Sequence, residues 1–178
     1  EKYKDRGLEV DLLVTADVGE VLRELVDRAG ELKPQNINAW LNRISEWKQK
    51  YPICPDEYHA QEQWVNPYVF MESLATQSAK DAIVVTDCGS NLIWTMQGFV
   101  CSGLGRIVSA FNQSPMGYSL PASIGAALAS PDQQVICITG DAGLQINIQE
   151  LATIQRQSLN IKIFVMNNHC HGIIQGTQ

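Results

Sequence analysis

Two residues in this chain have the types and the spacing to hold a hard cation. Asp141 lies in Gly140-Asp141-Ala142-Gly143, directly after the apolar run Val135-Ile136-Cys137-Ile138-Thr139. Asn168 closes a second apolar run that begins at Ile161, and an amphipathic stretch, Leu144 to Gln155, lies between the two. Read as strand, helix and strand, the segment is a βαβ unit whose crossover is expected to be right-handed. Both strands then run the same way, and the carboxylate and the amide emerge at one carboxyl edge. A helix of about 14 residues returns about 21 Å, roughly the length of a six-residue strand. Two oxygen ligands beside a glycine-flanked helix N-terminus make a site for a hard cation that holds a phosphate. Taken singly, each residue also has a plainer reading: Asp141 as a cap of the following helix, and Asn167-Asn168 as a turn.

Gly140-Asp141, the 27-residue step to Asn168, and the intervening Gln149-Glu150-Leu151-Ala152-Thr153 resemble the thiamine diphosphate motif. The resemblance is to acetolactate synthase-like enzymes. It extends upstream through Met116-Gly117-Tyr118-Ser119-Leu120-Pro121-Ala122-Ser123-Ile124-Gly125-Ala126, and Thr86-Asp87-Cys88-Gly89 and Trp94 fit the start of the same domain. Residues 63 to 178 carry it; residues 1 to 31 resemble, more weakly, the tail of that family's central domain.

The resemblance implies a site residue by residue. Asp141, the amide oxygen of Asn168 and the backbone carbonyl of Cys170 would hold Mg2+, with two diphosphate oxygens and a water completing a near-octahedral shell. An amide in place of a second carboxylate avoids like-charge repulsion beside the diphosphate. Gly89, Ser90, Asn91, Ala142 and Gly143 would meet the diphosphate. The family's usual Gln-His after the first of these glycines is replaced by Ser90-Asn91, and Ala142 stands where many members have glycine. Met116 would wedge between the two rings of the cofactor, Ser114 would offer a carbonyl to the aminopyrimidine, and Ile173 would lie over it. Ile174 stands where pyruvate decarboxylase-like relatives carry an acid, and isoleucine cannot transfer protons, which favours a carboligase. The catalytic glutamate expected in this family belongs to the pyrimidine-binding domain of a neighbouring subunit, and no segment here resembles that domain. The implied parent is a homo-oligomeric decarboxylase and carboligase acting on 2-oxo acids, with this fragment inactive alone. The rival is a non-catalytic assembly module that retains the fold.

The elements that would position these residues alternate. Asp17 caps a helix whose apolar face is Val18, Val21, Leu22, Leu25 and Val26, closed by Gly30 and Pro34; a strand-like run, Val10 to Val14, precedes it. A second helix, about Asn36 to Tyr51, places Ile37, Trp40, Leu41, Ile44 and Trp47 on one stripe, and Pro52 to Gln63 reads as a linker. Asn66-Pro67 opens a third helix with Phe70, Met71 and Leu74 inward. Strand Ala82–Thr86, a helix through Trp94, strand Arg106–Ala110, a helix from Pro121, and the βαβ unit follow. The expected fold class is therefore α/β, a doubly wound parallel sheet with helices on both faces, incomplete at the C-terminus. The expected divisions are 1–33 (tail of a central domain), 34–62 (helical linker) and 63–178 (diphosphate-binding domain).

Bulk properties narrow the partners. Residues 1–62 hold 13 acids and 9 bases, and residues 63–178 hold 6 and 4, so the second part is poor in charge, as a sheet covered on both faces requires. An acidic chain without a basic cluster argues against nucleic acid or an anionic membrane as partner. The five cysteines (54, 88, 101, 137, 170) are scattered and without a C-x-x-C, which suits a reducing cytoplasm. His169-Cys170-His171 lacks a fourth zinc ligand at useful spacing, and Gly103-Leu104-Gly105-Arg106 lacks the third glycine of a dinucleotide fingerprint.

Overall fold

The structure is a computed structural model and describes residues 10–33, 35–101 and 103–177. It forms two compact units that divide between Gln49 and Lys50.

The first unit is helical. Helix α1, Val18–Asp27, begins where expected, because the Asp17 side chain accepts from the backbone N–H of Gly19 (2.9 Å) and of Glu20 (3.3 Å). A 3-10 turn, Ala29–Glu31, follows. Helix α2, Asn38–Lys50, starts after Asn36, whose side chain accepts from the N–H of Asn38 at 3.1 Å, and packs Trp40 edge-on against Trp47. The run Val10–Val14 is not a strand: among the described residues no ladder partner pairs with it, and its apolar side chains are exposed.

The second unit is a parallel sheet with helices on both faces. The segment expected to be a bare linker contains a single helical turn, α3 (Asp56–His59). Helix α4, Pro67–Gln77, opens at Asn66, whose side-chain oxygen accepts from the N–H of Tyr68, with proline in the first turn where its missing donor costs nothing. Then come β1 (Ile83–Thr86), α5 (Ser90–Gly98), β2 (Arg106–Val108), α6 (Ser119–Ala129) and β3 (Val135–Gly140). They are followed by α7 (Asp141–Ile146), α8 (Glu150–Arg156), β4 (Ile161–Met166) and α9 (Gly172–Thr177). The sheet order is β2-β1-β3-β4, all parallel.

The period of two along each strand sorts the core into two layers. Val84, Ile136 and Ile138 point to one face, where Met71, Leu74, Trp94 and Phe99 cover them. Ile83, Val85 and Val135 point to the other, beneath Ala122, Ala126 and Ala127 of α6. The small side chains of α6 let that helix lie close to the sheet. Because both faces are covered, β1 and β3 read as continuous apolar runs rather than alternating ones.

Strands β1 and β2 and helix α2 are each one to three residues shorter than the sequence reading, and two further helix boundaries differ. Helix α6 begins at Ser119, two residues before Pro121. The single helix expected over Leu144–Gln155 starts at Asp141 and is broken into α7 and α8. The break has a local cause: Asn147 leaves helical geometry (φ −125°, ψ 31°), and its side chain donates to the carbonyl of Gly117 at 2.8 Å. Among the described residues, no helix is long and apolar enough to cross a membrane.

Candidate cofactor site

In the order β2-β1-β3 the chain leaves β1 in one direction and returns to its other side. The carboxyl ends of β1 and β3 therefore flank a topological switch point, where open α/β sheets form a crevice. Register sets what stands there. Thr86 pairs with Ile138, and Gly140 pairs with Met166, so Asp87, Asp141 and the Asn167-Asn168 pair all follow strand ends at one edge.

A cavity of about 520 Å³ opens at that edge. Its wall includes Gly89, Ser90 and Asn91 from the β1–α5 turn, Ser114 and Met116 from the loop before α6, Asp141, Ala142 and Gly143 from α7, and Asn168, Cys170 and Ile173 after β4. Every residue expected to meet the cofactor or the cation thus lines one space, although the segments lie up to 84 positions apart.

The organising group is one to which the sequence assigned no role. Asp87 is 1% exposed, and its carboxylate accepts from the N–H of Cys88 (2.9 Å), from the N–H of Gly117 (3.1 and 2.9 Å), and from the hydroxyls of Ser119 (3.5 Å) and Thr139 (3.1 Å). A buried carboxylate is tolerable only when its oxygens are satisfied in this way. These donors come from four segments, so Asp87 ties β1, the Met116 loop, α6 and β3 together.

Gly117 is clamped on both sides. Its N–H goes to Asp87 and its carbonyl to Asn147. At φ 82° it occupies the left-handed region, and a Cβ there would meet the Ile146 and Asn147 side chains at 3.0 Å. The clamp fixes the preceding residue, Met116, which is 37% exposed at the cavity wall. Ser114 also has positive φ (42°), and its N–H donates to the carbonyl of Ala110 at 2.7 Å.

The two oxygen donors differ in setting. Asp141 is the first residue of α7, one position past the cap at Gly140, so it does not act as that helix's cap. Asn168 is exposed, and its side-chain oxygen accepts from the N–H of Cys170 at 3.2 Å in an Asx turn, as Asn167 does from His169 at 3.0 Å. The turn reading of the asparagines is realised, and it leaves the second lone pair of each amide oxygen for another partner. At Gly89 the chain is in the left-handed region (φ 87°) with nothing within 4 Å of a Cβ, so glycine answers to backbone conformation there. Gly143 is the opposite case: a Cβ would stand 2.5 Å from Asp87 Oδ2.

Two thiols beside the site, Cys88 and Cys137, are held neutral. Burial, reinforced by the Asp87 carboxylate, pushes Cys88 up from the ordinary thiol value of 9.0. Cys137, under α6, is pushed up by burial and less so by Asp87, with the Ser123 and Ser119 hydroxyls opposing. Neither is an activated nucleophile.

Residues 87–178 match the sequence profile of the family described as thiamine pyrophosphate enzyme, C-terminal TPP binding domain. The chain belongs to this family. Thiamine pyrophosphate and thiamine diphosphate are one compound, so the cavity at the switch point lies in a domain of the type that binds it. Among similar proteins, the acetolactate synthase large subunit of Cyanidium caldarium is 37% identical over 172 residues, covering 94% of this chain and 28% of that protein. That of Parasynechococcus marenigrum is 37% identical over 177 residues, covering 97% and 27%. The acetolactate synthase isozyme 1 large subunit of Escherichia coli is 33% identical over 165 residues, covering 93% and 28%. The chain thus spans a little over a quarter of the length of these relatives, and the TPP-binding domain is the part that the family profile covers.

Proposed function

We propose that this chain is the diphosphate-binding part of a thiamine diphosphate- and magnesium-dependent enzyme of acetolactate synthase type. Such an enzyme decarboxylates a 2-oxo acid and transfers the acyl unit to an acceptor carbonyl. The observation that carries the reading is the convergence of Asp141, Asn168, Gly89 and Met116 on one cavity at the β1/β3 switch point. The donor set fits the cation. A carboxylate, an amide oxygen and the backbone carbonyl of Cys170 are hard oxygen ligands of the kind magnesium takes, and three of them leave room for two diphosphate oxygens and a water.

The residues divide the work. Asp141, Asn168 and the carbonyl of Cys170 would hold Mg2+. Gly89, Ser90, Asn91, Ala142 and Gly143 would bring backbone close to the diphosphate, the glycines because a side chain is excluded or strained at each. Met116, held by the clamped Gly117, would set the angle between the cofactor's rings, a task suited to an unbranched, polarisable side chain. Ser114 would face the aminopyrimidine, and Ile173 would help exclude water. When bound, the cofactor supplies the electron sink for decarboxylation, and the protein supplies orientation and electrostatics.

Among the described residues, no glutamate lines the cavity, and no segment of the sequence resembles a pyrimidine-binding domain. The working site in this reading is completed by that domain of another subunit in a homo-oligomer, in the cytoplasm, and the chain alone has no turnover.

Calorimetry of the purified chain with thiamine diphosphate tests the half-site. Magnesium-dependent binding that disappears in Asp141→Ala is the expected result. A folded chain that binds equally well without magnesium, or equally well after the substitution, would rule out the assigned cation site. Adding the separately expressed pyrimidine-binding domain of a related enzyme should then produce 2-oxo acid decarboxylation, and its absence from a complex shown to form would favour the non-catalytic module.

A further inference from the structure

A second set of ligand-type side chains gathers outside the cavity. Cys54, from the loop before α3, His59, the last residue of α3, and Glu72, on α4, bring one ligand atom each within 4.8 Å of one another. Cys54 Sγ lies 3.5 Å from His59 Nε2, and His59 Nε2 lies 3.2 Å from Glu72 Oε2. We propose that Cys54, His59 and Glu72 bind a divalent ion of the zinc class, with the fourth position open to water.

The edge lengths support this. Zinc bonds of about 2.3 Å to sulfur and about 2.0–2.1 Å to nitrogen and oxygen, in a tetrahedron, separate S from N by about 3.5 Å and N from O by about 3.3 Å. Both of these edges agree with those values within a few tenths of an ångström, and the third pair, Cys54 and Glu72, lies within 4.8 Å, so side-chain adjustment alone brings all three onto one ion. The ligands also select the ion. A thiolate and an imidazole favour zinc, cobalt or copper over magnesium or calcium. Thiolate plus carboxylate neutralises the dication.

A nucleophile–base–acid relay is the competing use of cysteine, histidine and glutamate, and the geometry opposes it. A relay needs the thiol on one ring nitrogen and the acid on the other. Here both contacts fall on Nε2. That nitrogen carries at most one proton, so it cannot donate to both neighbours. As a metal ligand it needs only its lone pair. A dication at the centre makes the Cys54 thiolate and the Glu72 carboxylate partners in place of like-charged neighbours. Its binding displaces one proton from Cys54.

The scaffold is arranged to receive such an ion. The N–H of Tyr58 donates to the carbonyl of Pro55, holding the turn that presents His59, and the Tyr58 ring stacks on Tyr68 of α4 at 6.1 Å. The His59 and Glu72 side chains remain half-exposed (48% and 56%), which leaves an entry path. Filled, the site would pin residues 54–59 to α4.

Cobalt(II) titration of the whole, metal-free chain, followed by absorption, tests the proposal. A thiolate-to-cobalt band in the near ultraviolet, saturating at one ion per chain and displaced by zinc, is expected. Cys54→Ser should abolish that band, Glu72→Gln should weaken binding at least about tenfold, and Cys170→Ser, at the other candidate cation site, should leave the band and its saturation curve as they are. Glu72→Gln keeps the side chain's shape and carries the test if Cys54→Ser disturbs folding. No band in a chain with folded far-ultraviolet dichroism overturns the proposal. So does a band that survives Cys54→Ser in a folded chain, disappears in Cys170→Ser, or keeps its affinity in Glu72→Gln.

Discussion

Gly143→Ala reads the packing beneath the cofactor site more directly than any ligand substitution. The new Cβ would stand 2.5 Å from Asp87 Oδ2, 3.3 Å from Asp87 Cγ and 3.1 Å from Thr139 Oγ1. Ordinary contact begins near 3.4 Å, so the carboxylate or α7 must give way by roughly 0.9 Å. The carboxylate is the end of a short, buried side chain anchored by donors from four segments, and a shift of that size takes at least one Gly117 N–H bond out of range. Overpacking costs about 1–3 kcal/mol, and a lost bond to a charged acceptor about 1.5–3 kcal/mol. A destabilisation near 3 kcal/mol is expected. With a urea slope of about 2 kcal/mol/M, the unfolding midpoint falls by about 1.5 M. Gly125→Ala is the matched control. It is the same chemical change inside α6, with nothing within 4 Å of the added atom, and it should stabilise by about 0.5–1 kcal/mol. Equilibrium unfolding of both variants by circular dichroism decides the matter. A Gly143→Ala midpoint within about 0.3 M of the parent, or a shift of the same sign as Gly125→Ala, would refute the rigid-carboxylate argument.

The remaining predictions concern binding, dynamics and pH. Asp141→Ala and Asn168→Ala should each weaken magnesium-dependent thiamine diphosphate binding by at least about tenfold, measured by calorimetry, while unfolding changes by no more than about 0.5 kcal/mol because neither side chain supports the core. In hydrogen exchange without ligand, the Gly117 amide should be protected by its buried acceptor. The amides of His169 and Cys170, bonded only within exposed turns, should slow only when cofactor and magnesium are added. Buried Cys137 gives a pH dependence with a definite sign. Its folded value lies above the ordinary 9.0, so the folded state holds its proton longer than the unfolded chain does. Its contribution to stability is full below that value and is lost as pH rises through the folded value. Urea midpoints between about pH 8 and 10.5 should therefore fall less steeply in Cys137→Ala than in the parent.

Much of the sheet was legible in the sequence because its cause is local. Val135 to Thr139 is an apolar run bounded by polar residues, the signature of a strand buried on both faces, and Ile161 to Met166, interrupted by Lys162, is legible as a half-buried strand. Asp17 and Asn66 announced their helices through side chains that reach their own backbone. What stayed hidden depends on contacts between distant segments. Asp87 is a polar residue after a strand until Gly117, 30 positions on, and Thr139, 52 positions on, are brought to it. The break between α7 and α8 follows from Asn147 reaching Gly117, so periodicity alone reads one continuous helix. Cys54, His59 and Glu72 escaped notice for the same reason: the turn at α3 and the angle of α4 unite them, and their spacing in the chain does not. The run Val10–Val14 failed in the other direction, since alternation and branching promote a strand only where a neighbouring strand accepts its hydrogen bonds.

The cofactor site has two halves of different character, and the difference follows from burial. On the β1 and β3 side, the carboxylate of Asp87 is enclosed, and every donor aimed at it belongs to the protein. Gly117, Met116 and the start of α7 are therefore held in place before any ligand arrives. On the β4 side, Asn167 and Asn168 are exposed and satisfy themselves through Asx turns, so their positions rest on a few exposed, local hydrogen bonds. A rigid first half can set the cofactor's shape through Met116, because preorganisation lowers the cost of ordering on binding. In the proposed reading the second half would close around the diphosphate and its cation after they dock, using the amide lone pair that its turn leaves over. Such an order of events needs the buried anion to stay clear of the cation. Asp87 meets that need: its oxygens are committed to Gly117, Cys88, Ser119 and Thr139, and Asp141, the first residue of α7, is left as the half-buried carboxylate lining the cavity.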